Sequence, residues 1–142
     1  MRAYILAGLI AAGVMFGANT AMAHHSFAAE FDANKPITLT GTVTKVEWTN
    51  PHVWIYLNVK DKTTGQVTNW GFEMGPPHGL QRRGWRRETL KLGDEVTVAG
   101  SLAKNGAKRM NARTVTLTTT GGRPGETLDA QSSQGGAVID QP

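Results

Sequence analysis

With no cysteine in the chain, any transition metal has to be held by imidazole, carboxylate, thioether or main-chain groups. The four histidines are His24, His25, His52 and His78. The first pair is notable for where it stands. Residues 1–23 read as a secretory signal peptide, and a cut after Ala23 makes His24 the first residue. Its free amine and its imidazole then close one chelate ring on a single ion. A third nitrogen, from His52 or His78, completes a T-shaped set that suits Cu(II). Secreted copper proteins with a histidine brace use this arrangement, so copper is the cofactor to expect if there is one. His25, Glu30 and Asp32 are further ligands close by in sequence. The plainer alternative is that a terminus with two histidines binds copper weakly without using it. In that case His52, just after Pro51, serves only the backbone, and His78 is solvated in a Pro/Gly loop.

The export reading rests on three parts in order. Arg2 supplies a positive charge, an apolar run follows from about Tyr4 to Phe16, and Ala21-Met22-Ala23 gives the small-x-small pattern that signal peptidase recognises. The apolar run is shorter than the roughly 20 residues a span needs. A cleaved, periplasmic protein with no stable membrane span is therefore expected.

Two clusters could recognise a partner or ligand. Trp48-Thr49-Asn50-Pro51-His52-Val53-Trp54 places two tryptophans and a histidine around a sharp turn. Trp54 and Tyr56 share the parity opposite to Val53, Ile55 and Leu57, so they form an outward aromatic pair. Alternatively, the lead-in covers that face, with Phe27 and Phe31 packed on Trp54. Arg82, Arg83, Arg86 and Arg87 would lie on one side of a helix, where they could grip an anion. Their ordinary role is a solvated helix face, with Trp85 between the pairs plugging the end of the fold.

Enzyme templates fit poorly. Ser26 beside His25 is adjacent in sequence, not a spatially assembled triad. Carboxylates are scattered and no Gly-rich phosphate loop occurs, so no catalysis is expected. Loss of Arg2 takes 15 basic residues to 14, against 11 acidic. That mild excess, with the compartment, argues against nucleic acid. An unknown envelope protein or a small ligand is the expected partner.

These side chains need a frame. Removal of residues 1–23 from a chain of 142 leaves enough for one domain with a modest core. Ile37, Leu39, Gly41 and Val43 alternate with threonines, as in a strand. Val46 and Trp48 then fall on the other parity, which predicts a bulge near Thr44-Lys45. Further strands are predicted at Val53–Lys60, Val67–Met74, Val96–Leu102 and about Arg109–Thr118. A short helix is predicted over Leu80–Glu88, weakened by Gly84. Asn105-Gly106 signals a hairpin. Five strands, with a long bent first one and a helix between the third and fourth, predict an all-β, OB-like Greek-key barrel. An open sandwich of the same strands is the alternative. The domain is expected over 24–120, with a disordered Gly/Gln/Ser tail over 121–142.

The chain also resembles a bacterial family of small exported proteins of unknown function. The shared elements are His24-His25-Ser26-Phe27 after the signal, Gly41-Thr42-Val43, and Glu47-Trp48-Thr49-Asn50-Pro51-His52-Val53. Trp70, Glu73, Gly84-Trp85 and Gly93-Asp94-Glu95-Val96-Thr97-Val98-Ala99-Gly100 continue the match. The resemblance covers about His24–Thr118 and implies a periplasmic OB-like domain. It implies no activity. The expected function is non-enzymatic binding, of copper through His24, or else docking through Trp54, Tyr56 and the arginines.

Overall fold

A computed structural model describes residues 27–118 and 124–133. His24, His25 and residues 1–23, where the signal peptide is expected, lie outside the described residues. The first strand, β1, runs from Phe31 to Glu47. Its alternating threonine and aliphatic residues suit a pleated, half-buried surface. One long strand can serve two neighbours only by bending. The first part of β1 pairs antiparallel with β4 (Glu95–Ala103), and the last part with β2 (Trp54–Lys60). The register shifts between Val43 and Lys45, where the change of parity predicts a bulge.

β2 pairs antiparallel with β3 (Val67–Glu73), and β4 with β5 (Arg109–Leu117). Parallel pairing of β3 with β5 then closes a ring of five strands. Closure removes edges that a Thr/Val-rich sheet would leave open. The interior holds Val43, Ile55, Leu57, Phe72, Val96, Val98, Met110 and Val115, all buried. The barrel needs close backbone approach at Gly100, where a Cβ would meet the Asn111 carbonyl oxygen at 2.1 Å. Gly100→Ala is expected to cost about 1–3 kcal/mol by overpacking. The check is a lower urea midpoint with an unchanged slope.

Two expectations are corrected. The helix, α1, is Pro77–Arg82, not Leu80–Glu88. Proline suits its first turn, and Gly84 at φ +91° leads the chain away just after its end. Arg83, Arg86 and Arg87 therefore do not share a helix face with Arg82. The tail is not featureless throughout. Thr127–Asp129 forms β6 along β5, and Leu128 and Ala130 are buried. Gly75 N–H donates to the Ala130 carbonyl at 2.9 Å. Backbone pairing orders this strap, which carries little apolar side chain to announce it.

Candidate functional site

The turn between β1 and β2 is fixed at both ends. Trp48 is buried in the core, and its carbonyl accepts from Arg87. Val53 is fully buried; its N–H donates to the Gly75 carbonyl at 3.1 Å, and its own carbonyl accepts from Met74 N–H at 2.9 Å. Between them the Asn50-Pro51 peptide is cis. His52 thus stands on an anchored backbone next to the end of β3.

Glu73, the last residue of β3, lies directly across from Trp54 on β2 and alongside Asn111 on β5. It is buried, with its Oε1 3.3 Å from His52 Nδ1 and accepting from Asn111 Nδ2 at 3.2 Å. Asn111 is held in turn by the strap. Its Nδ2 donates to Ser133 Oγ at 3.0 Å, and its Oδ1 accepts from Ser132 Oγ at 2.5 Å. Burial raises the Glu73 carboxyl above the ordinary glutamate value. The charge of His52, the Asn111 hydrogen bond and Arg109 oppose that rise, whereas Glu30 adds to it.

Glu30 belongs to a helical turn at residues 27–30, just ahead of β1. That turn is tied down. Phe27 and Phe31 are buried, with ring centroids 5.8 Å apart. Lys104 N–H donates to the Glu30 carbonyl at 2.9 Å, and Lys104 Nζ to that of Ala28. The chain leaving His25 is therefore anchored from Phe27 on, within electrostatic range of the Glu73 cluster.

His52 and Glu73 form a carboxylate–histidine pair. Metal-binding histidines commonly give their second ring nitrogen to such a carboxylate, which fixes the ring and raises its basicity. With Nδ1 turned to Glu73, Nε2 is the nitrogen left for a ligand, on a side chain 29% exposed. Among the described residues no three His, Asp or Glu side chains converge to hold a metal by themselves. A metal here would need donors from outside those residues.

The other predicted residues are dispersed. His78 is exposed in α1 and lines a shallow cleft with Gln81, Arg82 and Arg86. Trp48 is a core residue, not a surface for ligands. Arg83 pairs with Asp129, and Arg86 donates to the carbonyls of Gln81 and Trp85. With Arg87 on Trp48, three of the four arginines are engaged in holding the fold. Trp54 and Tyr56 do sit on the outer face, half-buried and stacked at 6.4 Å. They lie over Gly71, whose missing side chain leaves their seat. Arg109 covers the Trp54 ring at 4.5 Å and Lys45 the Tyr56 ring at 5.3 Å. Tyr56 Oη donates to Glu47, which also pairs with Lys45. The row is largely satisfied from within. The rings recorded beside Phe27 and Trp54 are Phe31 and Tyr56 respectively.

Sequence reasoning about chemistry passes over Glu73 and Asn111. The available signal was a carboxylate set between Phe72 and Met74 in an otherwise apolar strand end.

A family model described as a family of unknown function (DUF6152) matches residues 12–112. No curated protein matches the sequence. Among solved structures, the chain is similar to the mitochondrial single-stranded DNA binding protein Rim1 of S. cerevisiae. The two share 11% identity at a TM-score of 0.48, over 61% of this chain and 96% of that one. The exclusion of nucleic acid from the expected partners is corrected by this finding, since the similar protein is by name a DNA-binding one. Among the described residues no helix is long and apolar enough to cross a membrane.

Proposed function

We propose, on the premise that the chain belongs to the family of unknown function DUF6152, that it is an exported, non-enzymatic protein that binds Cu(II) at its mature N-terminus, with His52 as the ligand supplied by the barrel. Membership brings no activity with it, so the reading rests on the site. The observation that carries it is the His52–Glu73 pair beside the anchored turn at 27–30. The carboxylate presets one imidazole. The anchored turn restricts where the other donors can go.

The restriction is geometric. A chain advances at most about 3.6 Å per residue, which keeps the His24 amine within about 11 Å of Phe27. His24 would give its amine and imidazole, His52 its Nε2, and Glu73 would orient His52 without touching the ion. The three nitrogens match the preference of Cu(II) for a planar nitrogen set. Holding an ion in this way needs no acid, base or nucleophile. Periplasmic placement rests on Arg2, the apolar run and Ala21-Met22-Ala23.

The test is a Cu(II) titration of the chain beginning at His24, beside one carrying a single extra alanine before it. The extension removes the amine from the chelate ring and leaves every side chain in place. A loss of at least tenfold in affinity is expected, about 1.4 kcal/mol. Equal affinities would remove the reading.

A further inference from the structure

We propose a second ligand site, at the opposite end of the β2–β3 hairpin from His52: a cleft walled by β1, the β2–β3 turn and Lys108 that takes a small anionic sugar, a monosaccharide bearing a carboxylate or a phosphate. The cleft has a volume of about 400 Å³. Ligand pockets run from roughly 300 to 1,000 Å³, so it suits a single sugar ring. It shares no residue with the His52–Glu73 cluster.

Charge selects the anion. Lys60, Lys62 and Lys108 all line the cleft, and none is in an ion pair recorded among the described residues. The one acidic lining residue, Asp61, is committed to its own turn, where Oδ1 accepts the N–H groups of Thr63 at 2.8 Å and Thr64 at 2.7 Å. Three lysines thus line the space against one carboxylate, which leaves a net positive wall. A bound anion would supply the partner they lack.

The rest of the wall selects the ring. Trp70 is partly buried against the core, and Lys108 Nζ lies 5.2 Å from its ring centroid. An anionic group that draws the Lys108 ammonium off the ring would uncover an aromatic surface, where the apolar C–H face of a sugar can rest. Thr38, Thr68 and Gln66 add hydroxyl and amide groups to the same wall, which suit sugar hydroxyls. A solvated lysine face would offer neither the concavity nor the ring. A lipid tail would find too little apolar wall beyond Leu39, Val59 and Trp70.

The test follows the Trp70 indole N–H by NMR in the mature chain, assigned by its loss in Trp70→Phe. Glucuronate and glucose 6-phosphate are titrated separately, with glucose, inorganic phosphate and a short oligothymidylate as further probes. Saturable shifts with the two anionic sugars, at least tenfold weaker with glucose and with phosphate, are the expected result. Lys108→Ala, an exposed change outside the core, should weaken both sugars about tenfold and leave the Cu(II) titration unchanged. Inorganic phosphate matching the sugar phosphate would reduce the cleft to a plain lysine patch and overturn the proposal. So would no shift at all, or tighter binding of the oligothymidylate at the same resonance, which would assign the cleft to nucleic acid. Because copper is measured in parallel, failure here and failure of the copper site are distinguishable.

Discussion

Trp85→Ala is expected to destabilise the protein by about 3–5 kcal/mol, the range for emptying the site of a buried aromatic. Trp85 is 1% exposed, and the space it shares with Trp48, Val53, Ile55, Met74 and Leu90 leaves no room for a water. The residue joins three parts of the fold. It follows the end of α1, its N–H donates to the Leu80 carbonyl at 3.1 Å, and its indole Nε1–H donates to the Asp129 carbonyl at 2.9 Å. Truncation therefore opens a cavity at the barrel end and also unties the strap. Trp85→Phe separates the two effects. It keeps an aromatic plug and removes the donor, so it should cost about 1–3 kcal/mol, the loss of a hydrogen bond to a partly buried carbonyl plus a smaller void. Equilibrium urea unfolding measures both. A Trp85→Ala loss below about 1 kcal/mol would show that the site collapses freely and that Trp85 is no plug. Because Val53 lines the same space, the larger cavity should also loosen the turn that presents His52.

The barrel was legible because its signal is local. Threonine–aliphatic alternation marks β1, the parity change before Val46 marks its bulge, and Asn105-Gly106 marks the β4–β5 turn. Closure of β3 on β5 leaves no such mark, and it followed only from the order of elements. The helix is misplaced because Gly84 counts in the sequence as a mere weakening of Leu80–Glu88, whereas at positive φ it decides the end. Once α1 stops at Arg82, the arginine side chains turn to carbonyls and to Asp129. Trp48 looked like a ligand platform because it stands in a turn, but the bulge rotates it into the core. The strap was missed because backbone pairing, not composition, orders it. The Glu73 cluster was missed for a related reason. Its members come from the β1–β2 turn, β3, β5 and the strap, and no spacing in the chain relates them.

Glu73→Gln is expected to weaken Cu(II) binding by about 10–100-fold while leaving the apo protein no less stable near neutral pH. The affinity loss is the usual size for removing a carboxylate that orients a metal-binding histidine. An amide oxygen accepts from His52 Nδ1–H more weakly, and the amide can also turn its N–H₂ toward the ring. His52→Ala should lose at least as much, since it removes the ligand itself. Stability moves the other way for an electrostatic reason. Burial holds the Glu73 carboxyl above its ordinary value, against the opposing pull of His52, Asn111 and Arg109. The folded state therefore binds this proton more tightly than the unfolded state does. The contribution is complete below the ordinary glutamate range and is lost as pH rises through the folded value. Above that value wild type keeps a buried carboxylate at a net cost, which the neutral amide of the variant does not carry. Thermal unfolding of the apo proteins between about pH 4 and pH 7 should accordingly fall less steeply for the variant. A steeper fall, or equal slopes, would contradict the burial argument. If the variant binds copper as well as wild type does, Glu73 is a buried structural acid and His52 needs no orienting. Weaker copper binding in a variant that is as stable as wild type cannot come from unfolding, so the two measurements together locate the loss at the His52 ring.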